Sequence, residues 1–353
     1  MPQSIIDSLV TAVDQRGADS HRLACGEGEL LFVREGARLL AATLPGVEEN
    51  LFWHDPASLD PSAEGPIWGG DRLWIAPEVA YMWEDLDQAR EDPILHYDLP
   101  PAMDPAQWKW LNVGRDLAGV VTDMRLTDHR RDAQCHLRVE RRVTTDVQPS
   151  VDLPEDVRHL GFTLEHDLTL LEADEGVVAG AWSLLQLPPT ATLTVPTTRR
   201  ADVRSYYDPF GDHHLAIDDE RVRFLIDGHR RVKMGLAPDL VLGRMACHRP
   251  AGDSSTLVVR SFLSEPGRSY VDFPRDEPAD KRTGGDAVQA YNDNGDAGGF
   301  GEMEHHDPAL LAEGDRVHAV SRSTTSVFAG PDQTLRDIGE QMLGVPIEPL
   351  PAP

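Results

Sequence analysis

Aromatic rings and charged side chains alternate closely in the segment that runs from Trp68 to Glu78. Arg72 offers a planar fork of hydrogen-bond donors that could grip sugar hydroxyls or a carboxylate. Trp68 and Trp74 offer flat faces on which the C–H side of a pyranose could rest. Asp71 stands beside Arg72 and could help to position the same ligand. The alternative is that Asp71 and Arg72 form a structural ion pair and that both indoles lie in the core.

A second candidate group lies in the segment from Gly301 to Pro308. If this segment is a strand, Glu302, Glu304 and His306 share one face, because side chains alternate between the two faces. Two carboxylates and an imidazole form a plausible acid–base set, and repulsion between the carboxylates would raise the pKa of one of them. The alternative is an edge strand in an acidic protein whose carboxylates face water.

The strand that precedes this segment ends in a polar turn at Tyr291 and Asn292, whose side chains could bind hydroxyl groups. The turn continues through residues 293–296, where Asp and Asn side chains are arranged as in an oxygen-rich calcium loop. It lacks the closing Glu of an EF-hand, however, and Asn or Asp before Gly usually forms a plain turn. His213 and His214 are adjacent, which favours surface histidines over a metal site. We therefore expect no metal.

Other motifs that identify enzymes from sequence are absent. There is no GxSxG elbow of a serine hydrolase, and there is no phosphate-binding glycine loop of a nucleotide enzyme. Cys25, Cys135 and Cys247 are isolated, so we expect buried reduced thiols rather than disulfides or a zinc site. No cofactor is expected.

The chain carries a formal net charge of -27, from 33 basic and 60 acidic residues. Such a surface repels phosphate backbones and anionic lipids, so neither nucleic acid nor a membrane is an expected partner. The N-terminal residues form the pattern of an amphipathic helix rather than of a signal peptide. No apolar stretch is long enough to span a bilayer. A cytoplasmic location is the simplest expectation, and the sequence does not indicate the oligomeric state.

The elements that must position the candidate residues are mostly strands. Apolar and polar residues alternate from about residue 21 to residue 328, with frequent Gly and Pro at turns and no break in composition. This pattern predicts an all-β fold built as one large sandwich. We expect an N-terminal helix within residues 1–20, a single β-sandwich domain over residues 21–345 that ends in a helix near Thr334 to Leu343, and a flexible tail over residues 346–353.

Three segments together resemble the galactose-mutarotase-like, or aldose 1-epimerase-like, superfamily, and in particular a microbial branch of it. They are Gly-Gly-Asp-Arg-Leu-Trp-Ile-Ala-Pro-Glu at residues 69–78, Gly-Asp-Ala-Val-Gln-Ala-Tyr-Asn-Asp at residues 285–293, and Gly-Glu-Met-Glu-His-His-Asp-Pro-Ala at residues 301–309. The resemblance spans most of the chain, from about Leu30 to Leu343. It implies a β-supersandwich with short terminal helices and a sugar-sized cleft on one sheet.

In aldose 1-epimerases, a Glu near the C-terminal end of the fold removes the proton of the anomeric hydroxyl, and a His on a central strand protonates the ring oxygen. The resemblance carries this Glu onto Glu304, with Glu302 as the alternative. The strand that aligns with the His, Gly180 to Leu187, contains Gln186 but no His. Because the amide of Gln does not titrate near neutrality, another group, such as His306 folded inward, would have to replace the acid.

The resulting hypothesis is a carbohydrate-active protein that performs epimerase- or mutarotase-type acid–base chemistry on an aldose or a sugar derivative. Catalysis is assigned to Glu304, Glu302 and His306. The residues expected to bind this small-molecule sugar or oligosaccharide are Asp71, Arg72, Trp53, Trp68, Trp74, Glu78, Gln186, Tyr291 and Asn292. One alternative is a polysaccharide lyase or glycoside hydrolase that uses Glu302 with Glu304 or Glu78 as paired carboxylates. The other is a non-catalytic sugar-binding module.

Overall fold

The computed structural model describes residues 4–91, 96–145, 147–278, 281, 283–312 and 316–351 of the 353-residue chain. Two large antiparallel sheets dominate this part of the chain. Apolar side chains from both sheets meet in one extended core. The predicted all-β sandwich is therefore confirmed.

The first sheet is assembled from strands at the two ends and in the middle of the chain. Its members are β1 (Ser20–Cys25), β2 (Gly28–Val33), β3 (Arg38–Thr43), β4 (Asp71–Ala76), β9 (Val178–Leu187), β11 (Arg204–Ser205), β14 (Val232–Leu236), β17 (Val288–Asn292), β18 (Gly301–His306) and β19 (Leu310–Leu311). They lie side by side in the order β1-β2-β3-β4-β9-β18-β17-β14-β11, and β19 pairs with β9 outside this path.

The second sheet contains the longest strands of the molecule. Its members are β5 (Lys109–Val113), β6 (Leu117–Asp128), β7 (Ala133–Thr145), β8 (Arg158–Ala173), β10 (Ala191–Pro196), β12 (Leu215–Ile217), β13 (Arg221–Ile226), β15 (Arg244–Ala251), β16 (Ser254–Phe262) and β20 (His318–Pro331). Their order across the sheet is β12-β13-β10-β15-β16-β20-β8-β7-β6-β5.

The two sheets differ in how their faces are covered. In β7, Leu137 and Val139 point into the core while Arg138 and Glu140 point outward, which is the alternation of a sheet with one solvated face. In β9, by contrast, every residue is buried. The outer face of the first sheet is therefore also covered, and the loops around residues 53–55 and 295–300 contribute to that cover.

A charged cluster is sealed between the two sheets. Asp71 of β4 accepts hydrogen bonds from Arg141 of β7 and from Arg260 of β16, and all three side chains are fully buried. Because neighbouring residues of a strand point to opposite faces, Asp71 faces the second sheet while Arg72 faces away from it. The structure thus corrects the assignment of Asp71 to substrate binding: this carboxylate holds two arginines in the core.

The described residues include four α-helices, which are α1 (Ile5–Gln15), α2 (Glu78–Tyr81), α3 (Leu86–Glu91) and α4 (Asp332–Leu343). The hydroxyl of Ser4 caps α1 by accepting a hydrogen bond of 3.1 Å from the backbone N–H of Asp7. α4 ends at Leu343 and is capped by Gly344, whose φ of 74° is the left-handed conformation that glycine adopts readily. No helix in the described ranges has the length and apolar character that a membrane crossing requires.

The chain after α4 packs back onto the second sheet. Ile347 is buried in an apolar cluster, and the carboxylate of Glu348 lies 2.8 Å from Nη2 of Arg221 and 3.2 Å from Nη1 of Arg223. These contacts hold the segment in place, which corrects the expected flexible tail as far as residue 351. The last two residues of that tail, Ala352 and Pro353, lie outside the described residues.

Candidate functional site

A cavity of about 660 Å³ lies on the outer face of the first sheet. Five neighbouring strands form its floor through Arg72 and Trp74 of β4, Trp182 and Gln186 of β9, Lys233 of β14, Tyr291 of β17 and Glu302 of β18. Strand register brings these side chains to one face, since Glu302 lies opposite Gln186 on one side and opposite Tyr291 on the other. The walls come from loops and from the first residue of α2. They are lined by Trp53, Asp55, Trp68, Glu78, Tyr97, Tyr207, residues 295–298 and Phe300.

Arg72 and Glu302 form an ion pair at the floor of this cavity. Nη2 of Arg72 donates a hydrogen bond of 2.7 Å to Oε1 of Glu302, and Nε2 of Gln186 donates one of 3.0 Å to the same oxygen. The guanidinium also contacts two indoles, with its Cζ 4.0 Å from the ring centre of Trp74 and 5.7 Å from that of Trp68. Nε and Nη1 of Arg72 are buried and find no hydrogen-bond acceptor among the described residues. The ion pair thus leaves two guanidinium nitrogens without a partner.

Glu78 is the second carboxyl that lines the cavity. It begins α2, and its backbone N–H donates a hydrogen bond of 2.7 Å to Asp272. The hydroxyl of Tyr207 donates one of 3.1 Å to Oε1, and Nζ of Lys233 lies 3.4 Å from Oε2. Burial raises the pKa of Glu78 above its ordinary value, although the charge of Lys233 acts in the opposite direction. Burial thus favours the protonated form of Glu78 more than it would for an exposed carboxyl.

Glu304, the expected base, lies beneath the floor rather than in the cavity lining. Its side chain is fully buried, accepts a hydrogen bond of 2.7 Å from the indole N–H of Trp182, and lies 3.2 Å from Nζ of Lys233. Burial raises its pKa to about 8. Burial alone would lower the pKa of Lys233, but the carboxylates of Glu304 and Glu78 raise it above the ordinary value. The ammonium of Lys233 therefore lies within ion-pair distance of two carboxyl groups. Of the two glutamates of β18, Glu302 is the one that lines the cavity.

The raised pKa of Glu304 predicts a pH-dependent contribution to stability. A carboxyl whose pKa is higher in the folded protein than in the unfolded chain holds its proton more tightly when folded. Between the ordinary value of 4.5 and the folded value of about 8, the free energy of unfolding should therefore fall as pH rises. In urea unfolding at about pH 5 and about pH 8, the wild type should lose on the order of a few kcal/mol relative to Glu304→Gln. A difference that does not change with pH would contradict this prediction.

Two further predicted site residues also lie outside the cavity lining. The side chain of Asn292 accepts hydrogen bonds from the backbone N–H groups of Asp227 and Gly228, at 2.9 and 3.0 Å, so it shapes a turn instead of meeting a ligand. His306 is buried and stacks on Trp182 with 5.4 Å between ring centres. Burial places its pKa well below the ordinary value. The structure thus corrects both assignments, because neither side chain reaches the cavity.

The loop that follows β17 closes one side of the cavity and is organised by Asp293. Oδ2 of this buried carboxylate accepts hydrogen bonds from the backbone N–H groups of Gly295, Ala297 and Gly299, at 2.9, 3.1 and 2.9 Å. The oxygen-rich segment is thus a turn around one carboxylate. In the described parts of the chain, no group of three or more His, Cys, Asp or Glu side chains is placed to hold a metal ion. The three cysteines are buried thiols.

Several residues of the site were not assigned from the sequence, notably Lys233, Trp182, Tyr207 and Phe300. Lys233 had a usable signal: the chain has only three lysines, and this one stands between Val232 and Met234 in a strand. A lone cation in a buried strand needs a buried anion, so it indicates a carboxylate partner. Tyr207 and Phe300 lie in loops, and nothing in their sequence surroundings indicates which face of the molecule they reach.

Solved structures with a similar fold include a putative aldose 1-epimerase from Escherichia coli K12, with a TM-score of 0.51 and 11% identity over 89% of this chain and 100% of that one. A putative mutarotase from Salmonella typhimurium has a TM-score of 0.48 and 12% sequence identity, over 89% of this chain and 91% of that one. A galactose mutarotase-like protein from Lactobacillus casei ATCC 334 has a TM-score of 0.45 and 8% sequence identity, over 88% of this chain and 99% of that one. No curated protein matches the sequence.

These likenesses concern the fold. The galactose-mutarotase-like β-sandwich, expected from the three sequence segments, is confirmed by the two-sheet architecture and by the similarity to the Escherichia coli structure. At such low identity, the likeness carries no activity with it. A family match covers residues 56–351, which includes nearly all of the cavity lining. The chain belongs to the family of unknown function DUF6786.

Proposed function

We propose that the cavity binds a saccharide and interconverts its anomers, with Glu302 as the base and Glu78 as the acid. One observation carries the proposal: two carboxyls in contrasting environments line a single aromatic cavity. Glu302 is ion-paired to Arg72. Glu78 has a raised pKa because it is buried, which favours the protonated acid. Pairs of carboxyls with different environments are a general means of dividing the roles of acid and base.

The lining suits a sugar ring. A cavity of about 660 Å³ lies within the range of about 300–1,000 Å³ typical of small-molecule sites. Flat faces of Trp53, Trp68 and Tyr291 can pack against the C–H side of a pyranose. Arg72 and Gln186 also line the cavity, and guanidinium and amide groups form hydrogen bonds with hydroxyl groups.

In this mechanism, Glu302 takes the proton of the anomeric hydroxyl while Glu78 gives its proton to the ring oxygen. The bond between the anomeric carbon and the ring oxygen breaks, and an open-chain aldehyde forms. Rotation of the aldehyde and reversal of the two proton transfers yield the other anomer, so no co-reactant is consumed. Lys233, 3.4 Å from Glu78, stabilises the carboxylate that Glu78 becomes after it donates its proton. A histidine on β9 is not needed in this scheme.

The test is NMR exchange spectroscopy between anomers over a panel of aldoses, with and without the protein. Faster exchange of at least one aldose than in buffer supports the proposal. Saturable binding without faster exchange would instead favour a sugar-binding module, and release of reducing ends or unsaturated products from oligosaccharides would favour bond cleavage. If no saccharide bound or exchanged, both the binding and the catalytic parts of the proposal would fail.

A contact at the cavity wall provides a separate check on saccharide binding. Gly298 has a φ of 113°, and a Cβ at this position would lie 2.6 Å from Cζ2 of Trp53. Gly298→Ala should therefore displace the indole or the loop and weaken saccharide binding by about tenfold, or about 1.4 kcal/mol, in calorimetry. Gly252→Ala is the matched control, since Gly252 also has a positive φ, of 66°, but has open space around it. Equal affinities of the two variants would contradict a role for this contact.

A further inference from the structure

The charges around the cavity point to one class of saccharide. We propose that the ligand carries an ammonium group, as an amino sugar does, and that phosphorylated or carboxylated sugars are rejected. This inference rests on the proposed saccharide binding and adds to it the charge of the ligand. Its basis is the arrangement of four carboxyls and two cations in the lining, together with the aromatic surface beside them.

The two cations of the lining are already neutralised. Arg72 is paired with Glu302 at 2.7 Å. Lys233 is shared between Glu78 at 3.4 Å and Glu304 at 3.2 Å. Both carboxyls lie within ion-pair distance of this buried ammonium, and a buried ammonium requires at least one of them as a carboxylate, so Lys233 is not free to balance a further anion. Within the described lining, no cation is therefore left to balance a phosphate or carboxylate on the ligand, and burying such an anion would be costly.

Two further carboxylates, those of Asp55 and Asp296, line the same cavity. Asp55 accepts hydrogen bonds from the backbone N–H groups of Ala57 and Ser58, at 2.9 and 3.2 Å, which orient its carboxylate but leave its charge in place. Asp296 is 70% exposed and lies 3.2 Å from Arg231, so solvent weakens that pair. The pair of Asp296 and Arg231 is neutral as a whole, so the carboxylate of Asp55 leaves the outer part of the cavity with a net negative charge, whereas the floor is balanced.

A buried acceptor in the cavity also lacks a donor. Gln186 is 1% exposed, and its Nε2 must face Glu302, because an ionised carboxylate can only accept hydrogen bonds. Its Oε1 therefore points away from that partner, and no donor reaches it from the described residues. A buried acceptor without a partner is costly, so a ligand with an N–H or O–H donor that reached this oxygen would be favoured.

Aromatic rings complete the environment of a cation. The ring centres of Trp53 and Phe300 lie 4.5 Å apart, and those of Tyr291 and Phe300 lie 5.9 Å apart. The faces of such rings attract an ammonium group electrostatically. The net charge of -27 also draws cations toward the protein and repels anions at long range. Charge, acceptor and aromatic surface thus favour the same class of ligand.

The experiment is isothermal calorimetry with matched ligand sets built on glucose, galactose and mannose. Each set holds the neutral hexose, its 2-amino form at a pH where the amine is protonated, its N-acetylated form, and its 6-phosphate or uronic acid. N-acetylation keeps the nitrogen and adds an acetyl group but removes the charge, which makes this form the control for a nitrogen substituent without charge. For the parent hexose that binds, we expect the amino form to bind about fivefold more tightly, and the anionic forms to bind more weakly than the parent.

Asp55→Asn and Asp296→Asn test the source of the preference. Asn at position 55 can keep one of the two backbone hydrogen bonds that the carboxylate of Asp55 accepts, and Asp296 is 70% exposed, so both variants should fold. Together they should bring the affinity ratio of amino to neutral sugar close to one. Glu172→Gln, which removes a 71% exposed carboxylate on the second sheet, is the control for overall charge and should keep the ratio.

The outcomes distinguish a failure of this inference from a failure of the proposed saccharide binding. If the neutral hexose binds but its amino form binds no better, or if an anionic form binds more tightly, the inference is overturned while saccharide binding stands. If the preference exists but survives in the Asp55→Asn, Asp296→Asn double variant, the assignment to these two carboxylates is overturned. If no member of any set binds, the proposed function itself fails.

Discussion

Replacing Glu302 with Gln is expected to slow anomer exchange by about 10²–10⁴-fold, the usual contribution of a positioned acid or base. The amide keeps the shape of the carboxylate, and its oxygen can still accept hydrogen bonds from Arg72 and Gln186. It cannot take the proton of the anomeric hydroxyl. We therefore expect the saccharide to bind with similar affinity while exchange, measured by NMR, is lost. Glu78→Gln should have a loss of the same kind, because it removes the proton donor.

The control for both variants is Glu172→Gln, which makes the same chemical change on the exposed side of the second sheet. This variant should exchange anomers at the wild-type rate. If Glu302→Gln also kept the wild-type rate while remaining folded, Glu302 would not be the base. If Glu304→Gln alone slowed anomer exchange, the base would be Glu304, the buried residue that the family resemblance favoured.

Asp71→Asn is expected to destabilise the fold by about 3–5 kcal/mol, the typical cost of breaking a buried ion pair. The side chain keeps its size but loses the charge that holds Arg141 and Arg260, both of which are fully buried. Two guanidinium groups would then remain in the core without their main counterion. Urea unfolding should show this as a lower midpoint with little change in slope.

The matched control is Asp123→Asn, which also removes a carboxylate that faces an arginine. Asp123 is 46% exposed, and its partner Arg138 is 52% exposed, so water replaces most of what the pair provides. Its loss should cost less than about 1 kcal/mol. If Asp71→Asn cost no more than Asp123→Asn, the buried cluster would not be a major source of stability.

Strand periodicity explains both what the sequence could predict at β4 and where it failed. Arg72, Trp68 and Trp74 of this segment line one cavity. Asp71 was grouped with Arg72 because the two are adjacent. The structure shows that the strand includes both residues, and adjacent residues of a strand point to opposite faces. Adjacency in the sequence therefore misplaced the carboxylate.

At β18, the alternation of side chains predicted which residues share a face of the strand, but not how deeply each side chain is buried. Glu302, Glu304 and His306 lie opposite Gln186, Leu184 and Trp182 of β9, so they do share a face. Which of them meets the cavity depends on what covers each one. Trp182 and Lys233 cover Glu304, whereas Glu302 lines the cavity. Contacts between strands far apart in the chain set this difference, and the spacing of residues within one strand holds no information about them.

The placement of indole rings gives the molecule a built-in optical probe. Four of the seven tryptophans, Trp53, Trp68, Trp74 and Trp182, border the cavity. Indole fluorescence responds in wavelength and intensity to the polarity of its surroundings, so entry of a ligand that displaces water should alter much of the intrinsic emission. Libraries of unlabelled small molecules could therefore be screened in a plate reader with the native chain, before any assay of turnover exists.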